Sequence, residues 1–466
     1  MSFVNEKLIE LNEFFKKSKI AIIGLGVSNI PLLDYMHNLK ANVTVFDDRE
    51  IEKIPKEILD KVTEYSFEFS YGVNSLNKLN GFDIIFRSPS CMPTRKELKL
   101  EEERGAIVTT EIEMFMKVFP GKIIGVTGSD GKTTTTTLIY EILKASGYNC
   151  YLGGNIGIPL FTELNQMNPE DIAVLELSSF QLMGMEISPD IAVITNITPN
   201  HLNIHSSYEE YIEAKKNIFK YQNEEGIVVL NYDNDITREA AKEAVGKVIF
   251  FSSKTKLEDG IILDDNLIKE CKDKLRKHIV NTDELILRGR HMYENVCTAL
   301  AATSSLVDME KAVKVVKSFK GVEHRLEFVR ELNGVKWYND SIGSSPTRTI
   351  AGLNSFDERI TLIAGGYDKN LDYKPLAKPI LEKVDNLVLI GQTAGKIFES
   401  VKEEAERQGK DIKIYMCDEF ENAILVAKRV TKVGNIVLLS PASASFDMFK
   451  NFEDRGNKFK ELVNNL

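Results

Sequence analysis

The sequence predicts an α/β protein of three domains: a Rossmann-like domain, a central domain built around a Gly-rich loop, and a second Rossmann-like domain. The first observation is the length, because 466 residues exceed what one hydrophobic core ordinarily serves. The second is the Gly-rich stretch at residues 125–134, which lies between a buried strand and a helix. The third is a repeated pattern of short apolar strands that end in small or charged residues and lead into helices.

Composition narrows the class of protein. Hydrophobic residues at 43% and charged residues at 27% are typical of a globular protein, and the net charge of −10 argues against a nucleic-acid partner. The five cysteines are far apart and form no C-x-x-C pair, which indicates free thiols in a reducing compartment. The N-terminus lacks the apolar core of a signal peptide, and no apolar run approaches the ~20 residues of a membrane span. We therefore expect a cytoplasmic protein without membrane insertion.

Residues 1–111 are the first predicted domain. A strand at 19–23 runs into the turn Gly24-x-Gly26, and a second strand at 42–46 is followed by acidic residues, as in a Rossmann βαβ unit. The third glycine position holds Asn29, so NAD binding is a weak alternative. Ligands of such sheets bind beyond the carboxyl ends of the strands. A nucleotide is therefore expected at one edge, unless these are only structural turns; the edge residues are Ser28, Asp47, Asp48, Arg49 and Ser88.

The Gly-rich loop opens the second predicted domain, residues 112–320. Its backbone N–H groups and the following helix N-terminus suit an anion, while Lys132 and Thr133 suit a nucleotide phosphate and its Mg²⁺. The spacing does not fit G-x-x-x-x-G-K-[ST], because the nearest upstream glycines are Gly128 and Gly125. A glycine-rich turn without a ligand is the alternative. The predicted phosphate-binding residues are Gly128, Ser129, Asp130, Gly131, Lys132, Thr133 and Thr134.

Polar residues follow the later strands of this domain. Asn155 lies among glycines, where backbone can approach a ligand, and Glu176 ends a buried strand, where a Mg²⁺ ligand is needed. His201 and His205 follow the next strand; one of them is expected at a phosphate or metal site, and a surface loop is the alternative for both. These positions predict a metal-dependent phosphate site.

Two helices of this domain carry ambiguous candidates. Lys215 belongs to a lysine pair on a helix predicted at 208–220, and such pairs are usually solvated charge. Asn295 lies near the start of a helix, where it would meet an adenine edge or make a hydrogen bond in the cap region.

Residues 321–466 are the third predicted domain, which opens with His324-Arg325. Each of its strands ends in small or charged residues and leads into a helix, as in a parallel doubly wound sheet. Arg325, Asp340, Lys369 and Ser445 are expected along one polar edge, although turns at strand ends could place some of them there by chance.

The order of these motifs, from Thr127-Gly-Ser-Asp-Gly-Lys-Thr-Thr134 to His324-Arg325, resembles the Mur ligases over essentially the whole chain. These are ATP-dependent amide ligases that build the peptide stem of bacterial peptidoglycan. The sequence is most similar to the branch that adds D-glutamate to UDP-N-acetylmuramoyl-L-alanine. The resemblance implies a P-loop-type ATPase domain, an acyl phosphate intermediate, two Mg²⁺ ions and a monomer.

The resemblance also implies a role for each candidate residue. Catalysis would fall to Lys132, Glu176, His201, Lys215 and Arg325, and the metal ions to Thr133, Glu176, His201 and Lys215, with Lys215 carbamylated. Asn295, Arg325 and Asp340 would join the loop in binding ATP. The UDP-sugar would contact Ser28, Asp47, Asp48, Arg49, Ser88 and Asn155. D-Glutamate would contact Ser344, Lys369, Ser445, Phe446 and Phe452.

Three positions depart from the family pattern. Ile342 stands where the family has a lysine that contacts glutamate, so Ser344, Ser345 or Arg348 is expected to supply a donor instead. Ser443 replaces a common cysteine, and Met292 replaces an asparagine. The alternatives left open are a ligase for another amino acid, a folyl-polyglutamate-type ligase, an NAD-dependent dehydrogenase and a nucleotide switch without catalysis.

Overall fold

The computed structural model describes residues 3–199, 205–369 and 371–466. The chain divides into two compact units, Met1–Glu284 with Tyr293–Lys317, and Leu285–Met292 with Ser318–Leu466. The strands of the described residues form three sheets of five, nine and six strands, which confirms the α/β class. Within the same residues, no helix has both the length and the apolar character needed to cross a bilayer.

The first sheet is parallel and has the strand order β3-β2-β1-β4-β5. Its strands are β1 (Lys19–Ile23), β2 (Asn42–Asp47), β3 (Glu68–Tyr71), β4 (Ile84–Arg87) and β5 (Ile107–Thr109). The helices of this region are α1 (Glu6–Lys17), α2 (Ile30–Leu39), α3 (Lys56–Glu64), α4 (Lys96–Glu103) and α5 (Glu111–Val118). Strand order reverses between β1 and β4, so the turns that follow these two strands lie side by side.

The second sheet has the strand order β14-β13-β12-β11-β10-β9-β6-β8-β7, with β6 among its buried strands. Its strands are β6 (Lys122–Thr127), β7 (Cys150–Gly154), β8 (Ile172–Glu176), β9 (Ile191–Ile194), β10 (Ile227–Asn231), β11 (Lys247–Ser252), β12 (Gly260–Asp264), β13 (Leu267–Lys272) and β14 (Leu275–Asn281). The helices are α6 (Lys132–Ala145), α7 (Ser179–Leu182), α8 (Tyr208–Lys220), α9 (Asp235–Ala240), α10 (Arg290–Thr303) and α11 (Met309–Ser318). The parallel strands β6, β8 and β9 bring their carboxyl ends to one edge.

The third sheet has the strand order β15-β16-β20-β17-β18-β19. Its strands are β15 (Glu327–Leu332), β16 (Val335–Asn339), β17 (Ile360–Ala364), β18 (Val384–Ile390), β19 (Lys413–Cys417) and β20 (Ile436–Leu439). The helices are α12 (Pro346–Leu353), α13 (Lys374–Lys383), α14 (Ala394–Gln408), α15 (Phe420–Val430) and α16 (Phe452–Asn464). Apolar clusters cover both faces of this sheet.

Antiparallel strands were missing from the sequence prediction. β15 pairs antiparallel with β16 through the turn Asn333-Gly334, where both residues have positive φ, 53° and 75°. Asn-Gly is the strongest short hairpin signal, so this strand pair could have been predicted. In the second sheet β13 pairs antiparallel with both β12 and β14, and Asp273 and Lys274 at the second turn have φ of 50° and 68°. The edge of the second sheet, β12 to β14, is therefore a meander, and the edge of the third sheet, β15 and β16, is a hairpin; neither is built from βαβ units.

The first two sheets share one hydrophobic core. A single cluster contains Ile20 and Phe86 from the first sheet together with Leu175 from the second. Phe161 packs between α1 and α2, with ring centroids 6.2 Å from Phe15 and 5.2 Å from Tyr35. This packing explains why residues 1–111 and most of residues 112–320 lie in one compact unit. The three predicted domain ranges, 1–111, 112–320 and 321–466, remain predictions.

Glu111 gives a test of this shared core. Its carboxylate is buried and accepts a 2.8 Å hydrogen bond from Phe161 N, and burial raises its pKa from 4.5 to about 7. The folded state therefore holds a proton more tightly than the unfolded state, so stability falls as pH rises from 4.5 through 7. We expect Glu111→Gln, which keeps the acceptor oxygen, to unfold with a free energy roughly 2 to 3 kcal/mol above wild type at pH 8.

The measurement is urea unfolding of both proteins at pH 4.5 and pH 8, with the exposed Glu103→Gln as control. The difference between Glu111→Gln and wild type should vanish at pH 4.5. An equal difference at both pH values would contradict a proton held on Glu111.

Candidate active site

The Gly-rich loop joins β6 to α6 and requires glycine at two positions. Gly128 has φ of 148°, and a Cβ there would lie 1.9 Å from Thr195 Oγ1. Gly131 is the N-cap of α6 with φ of 78°, and a Cβ there would lie 2.3 Å from Asn295 Oδ1. Side chains at these two positions would fill the space above the helix N-terminus. Glycine keeps that space free, so that backbone N–H groups can face an anion.

Residues after β9 hold the loop in place. Thr195 Oγ1 donates to Asp130 O at 2.5 Å, and Asp130 N donates to Asn196 Oδ1 at 2.9 Å. Ser129 Oγ donates to Thr198 O at 2.9 Å and also lies 2.9 Å from Tyr211 Oη. Sequence reasoning missed this support, although polar residues at the end of a neighbouring parallel strand are the signal that could have found it.

Two lysines share one carbonyl oxygen at this loop. Lys132 Nζ donates to Gly128 O at 2.9 Å, and Lys215 Nζ donates to the same oxygen at 2.7 Å. Lys215 is buried, and burial, followed by the charge of Lys132, lowers the pKa of Lys215 well below its usual value. The interpretation of Lys215 as solvated charge is therefore wrong. Its neighbour Lys216 does pair with acids, Glu213 at 2.7 Å and Glu243 at 2.6 Å.

Glu176, at the end of β8, faces the same edge as the loop. It is buried, and its Oε1 accepts a 2.8 Å hydrogen bond from Asn155 Nδ2, while Asn155 N donates to Glu176 O at 2.8 Å. Its Oε2 has no hydrogen-bond partner among the described residues. An unpaired buried carboxylate oxygen carries a large desolvation cost unless a cation binds it. Asn155, which the resemblance assigns to the UDP-sugar, is therefore hydrogen-bonded to Glu176 through both its side chain and its backbone.

The residues present fit a Mg²⁺ ion. Glu176 Oε2 and the hydroxyl of Thr133, the second residue of α6, are the hard oxygen donors that Mg²⁺ prefers. In the part of the chain that the structure describes, no group of three or more His, Cys, Asp and Glu side chains could hold a metal. His201, predicted as a further ligand, lies outside the described residues.

His205, the second predicted histidine, lies inside the fold. Its Nε2 is 3.0 Å from Ser179 Oγ, and its ring stacks on Phe180 at 5.0 Å between centroids. Burial lowers the pKa of His205, so the neutral ring is favoured. The alternative of a surface-loop histidine is wrong for this residue.

Asn295, on α10, contacts the start of α6. Its Oδ1 accepts a hydrogen bond from Thr135 Oγ1 at 3.4 Å and faces Gly131. This contact is with α6 rather than with the start of its own helix, so contact with an adenine edge and a hydrogen bond in the cap region both remain predictions.

The edge of the first sheet gathers the residues predicted there. Asp47 accepts from Leu25 N at 2.8 Å and from Arg49 Nε at 2.8 Å. Burial would raise the pKa of Asp47, but these bonds from Arg49 and Leu25 hold it below its usual value. Ser88 lies against the turn after β1, because a Cβ on Gly24 would fall 2.6 Å from Ser88 Oγ.

Asp48 and Ser28 complete this edge. Asp48 accepts from Ser75 Oγ and pairs with Arg95, each at 2.9 Å. Ser28 is half-buried in the turn that precedes α2. The first sheet therefore presents hydroxyl, carboxylate and guanidinium groups at the switch point of strand order, the usual place for a ligand.

The second compact unit has its own polar edge. Asp340, after β16, is buried, and its Oδ2 accepts from Ser440 Oγ at 2.6 Å. Burial raises the pKa of Asp340 to about 6, opposed by Ser440 and by the charge of Arg325. Arg325 lies between two residues in the left-handed region, His324 with φ of 61° and Leu326 with φ of 46°. Such strain persists only where the surrounding structure holds it, and it often marks a functional segment.

The residues predicted for the amino acid lie on loops of this unit. The loops after β17 and β20 are joined by a 2.9 Å hydrogen bond from Tyr367 N to Ala444 O. Lys369 Nζ lies 5.5 Å from the ring centroid of the exposed Phe446. The remaining three differ in exposure: Ser445 is buried, and Ser344 and Phe452 are half-buried.

Arg455 is a charged residue of this unit that sequence reasoning missed. It is 1% exposed, and its guanidinium donates to Ser341 Oγ at 3.0 Å and to Ala444 O at 3.0 Å. Burial lowers its pKa to about 10. Helical spacing could have predicted its burial. Arg455 precedes the core residue Phe459 by four residues and so shares the apolar face of α16. Arg455 fixes the loops that carry Ser341 and Ser445.

This chain is similar in sequence to known proteins over nearly its whole length. The family model described as Mur ligase middle domain matches residues 126–303, and the one described as Mur ligase, glutamate ligase domain matches residues 324–443. A protein of Acetivibrio thermocellus named UDP-N-acetylmuramoylalanine--D-glutamate ligase is 51% identical over 465 residues, covering 99% of this chain and 100% of the relative. A protein of the same name from Clostridium novyi is 48% identical, covering 98% of this chain and 99% of the relative.

Solved structures share the fold. The UDP-N-acetylmuramate-alanine ligase of Thermotoga maritima matches with a TM-score of 0.56 at 18% identity, covering 96% of this chain and 99% of that one. The MurF ligase of the same organism, solved in complex with ADP, matches with a TM-score of 0.55 at 19% identity, covering 98% and 97%. At these identities the likeness establishes architecture alone.

Gly128 provides the test of the loop. A Cβ at Gly128 cannot be accommodated beside Thr195 without moving the loop. We expect Gly128→Ala to weaken ATP binding about tenfold or more. Backbone strain of this kind costs ~1–3 kcal/mol, and each ~1.4 kcal/mol lost from the binding free energy raises the Kd about tenfold. Titration calorimetry with ATP measures the change.

Gly147→Ala is the matched control, because Gly147 has φ of 100° but no atom within 4 Å of a Cβ. That variant carries similar backbone strain at the other end of α6 and should bind ATP as wild type does. Equal affinities for the two variants would contradict a nucleotide site at Gly128.

Proposed function

This chain belongs to the Mur ligase family, and we propose that it joins D-glutamate to UDP-N-acetylmuramoyl-L-alanine in an ATP-dependent step of peptidoglycan precursor synthesis. Two relatives that are named for this reaction align with nearly the whole chain at 51% and 48% identity. The observation in the structure that carries the proposal is the pair of lysines on the Gly128 carbonyl, together with a buried oxygen of Glu176 that has no hydrogen-bond partner among the described residues. The ammonium of Lys132 at the N-terminus of α6 suits the phosphates of a nucleotide.

The reaction has two steps. The terminal carboxylate of the L-alanine attacks the γ-phosphorus of ATP, which gives an acyl phosphate and ADP. The amine of D-glutamate then attacks the acyl carbonyl, a tetrahedral intermediate forms, and phosphate leaves as the amide bond is made. A carboxylate is a poor electrophile at neutral pH, so phosphorylation supplies the leaving group. Lys132 and Arg325 would offset the charge that develops on the transferred phosphoryl group.

The loop and its surroundings would bind ATP. Gly128, Gly131 and Thr134 would offer backbone N–H groups around the start of α6, and Ser129 and Asp130, whose own N–H groups donate to Asn196, would line the loop. The resemblance assigns Asn295, Arg325 and Asp340 to the same nucleotide. Two Mg²⁺ ions, when bound, would neutralise phosphate charge and would be held by Thr133, Glu176, His201 and a carbamate on Lys215.

Carbamylation of Lys215 is supported by its surroundings. The amine is buried, no carboxylate of the described residues forms an ion pair with it, and it donates to Gly128 O and, at 3.3 Å, to Thr127 Oγ1. Burial favours the uncharged amine, the form that attacks CO₂. The product is a carbamate and a released proton, which turns a cationic side chain into an oxygen ligand.

The other two substrates would bind at separate edges. The UDP-sugar would lie along Ser28, Asp47, Asp48, Arg49 and Ser88, with Asn155 as a further contact. D-Glutamate would contact Ser344, Lys369, Ser445, Phe446 and Phe452. Where the family has a lysine, Ile342 stands here, and the Arg348 guanidinium donates to Ile342 O at 3.2 Å, so Arg348 is the donor best placed to replace it.

Membership of the family sets aside two alternatives, an NAD-dependent dehydrogenase and a nucleotide switch without catalysis. All five cysteines are free thiols, which supports a reducing compartment, and we propose that the enzyme acts in the cytoplasm as a monomer.

An assay of phosphate release tests the function. With ATP and Mg²⁺, purified protein should release phosphate only when UDP-N-acetylmuramoyl-L-alanine and D-glutamate are both present, because each step consumes one of them. A panel of L- and D-amino acids, and a folate acceptor, separates this enzyme from a ligase for another residue or a folyl-polyglutamate-type ligase. Unchanged turnover with D-glutamate omitted would sink the proposal.

Lys215 gives a second test. Lys215→Ala removes both the amine and its carbamate, so we expect turnover to fall about 100-fold or more, the scale for losing one preorganised charge contact. Acetate or another short-chain acid should restore part of the rate, because its carboxylate can take the place of the carbamate. Initial rates with and without acid are compared, with Lys216→Ala as control. No rescue by any acid, together with full wild-type activity in CO₂-free buffer, would refute carbamylation.

A further inference from the structure

Arg87 is a buried cation that the proposed reaction does not use. It ends β4, directly before Ser88, and is 3% exposed. No carboxylate of the described residues forms an ion pair with it, and its hydrogen bonds within those residues go to backbone carbonyls. A buried charge without an ionic partner has a large desolvation cost, and its presence calls for a specific use.

The carbonyls that Arg87 contacts come from two different places. Cys91 O, 3.2 Å from Nη1, belongs to the loop after β4, which carries Ser88. Met183 O, 2.5 Å from Nη2, and Phe180 O, 3.4 Å from Nη2, belong to α7 and its C-cap in the second sheet's layer. The guanidinium fork therefore reaches both elements at once.

Helix α7 connects this contact to the reacting end of the site. It starts three residues after Glu176, and a capping box between Ser178 and Gln181 fixes its first turn. Asn217 Nδ2, from α8, donates to Leu182 O at 3.0 Å. The position of α7 is therefore fixed by its short connection to Glu176, by a hydrogen bond from α8 and by Arg87.

The loop after β4 meets the residues that follow α7. Gly184 has φ of 79°, and a Cβ there would fall 3.4 Å from Pro93 Cβ. The same loop is closed by Cys91 N donating to Ser88 O at 3.0 Å, and Ser88 Oγ lies 3.0 Å from Ser90 Oγ. A shift at Arg87 would thus move Ser88 relative to Glu176.

We propose that Arg87 is a positioning residue that fixes the sugar-nucleotide edge of the first sheet relative to the Glu176 end of the second. The inference rests on the proposed function, in which the UDP-sugar is the substrate that needs both places: its nucleotide at Ser88 and its carboxylate near Glu176. Misplacement of a reacting group by about 1 Å can cost roughly 100-fold in rate. Arg87 acts through the two elements that it joins and touches no substrate.

A purely structural role predicts a different result. If Arg87 only held two layers together, its loss would lower stability and weaken every ligand to a similar degree. A positioning role leaves each half-site intact and damages only the reaction that needs both. UDP and ATP are therefore the probes of the two half-sites, and ligation is the probe of their relation.

The experiment compares two variants with wild type. Arg87→Met keeps volume and removes the charge, whereas Arg87→Lys keeps the charge but has no fork to hold both elements. We expect kcat/KM for UDP-N-acetylmuramoyl-L-alanine to fall about 10- to 100-fold in Arg87→Met and about tenfold in Arg87→Lys. The Kd of UDP and the Kd of ATP, measured by calorimetry, should stay within about twofold of wild type in both. Arg407→Met, an exposed arginine of α14, is the control and should match wild type throughout.

Each outcome decides the inference. Ligation within about twofold of wild type in Arg87→Lys, or a loss of UDP or ATP affinity as large as the loss of ligation, would overturn it. If Arg87→Met does not fold, Arg87→Lys alone gives the answer. Absence of ligation by the wild-type protein would instead count against the proposed function, so the two failures are distinguishable.

Discussion

The shared carbonyl of Gly128 is the contact on which the active site depends. Lys132 and Lys215 both donate to it, and because burial of Lys215 favours its uncharged amine, the two side chains share this oxygen without two full positive charges meeting there. The same contact needs glycine at 128, since any Cβ would meet Thr195, and it needs α8 to bring Lys215 under the loop. This backbone oxygen therefore joins the loop to α8, since Lys215 lies 87 residues after Gly128 in the chain.

The sheets supply the rigidity that this charge cluster requires. β6 lies between β8 and β9, so Glu176 and Thr195 emerge on either side of the loop without any flexible linker. The first sheet is packed into the same core, and Arg87 adds polar contacts where that core ends. A substrate that runs from one sheet to the other thus meets two edges whose separation is set by packing. Preorganisation of this kind is what makes electrostatic stabilisation effective in catalysis.

Much of the fold followed from the sequence, since apolar strands with polar ends and a Gly-Lys-Thr-Thr loop have few other structures available. The range of α8 agrees with the predicted 208–220, β6 lies directly before the Gly-rich loop, and β8 ends at Glu176, as the pattern predicted. The hairpin β15–β16 was missed, although Asn333-Gly334 is a typical hairpin turn, because the strands that lead into helices favoured a wholly parallel sheet. Lys215 shows a different limit: nothing in a Lys-Lys pair on an amphipathic helix distinguishes a buried amine from a solvated ammonium.

What the sequence by itself determined is the chemistry available at each strand end: glycines that open the loop, Lys132 and Thr133 after it, Glu176 on β8 and the polar groups around Asp47. Local patterns suffice for these because strand period and turn chemistry depend on near neighbours. Only the tertiary structure decided which groups share a partner or lose solvent. Contacts between segments far apart in the chain place Lys132 and Lys215 on one carbonyl, bury Arg87 and Arg455, and leave an oxygen of Glu176 without a hydrogen-bond partner among the described residues. No local pattern records this loss of solvent.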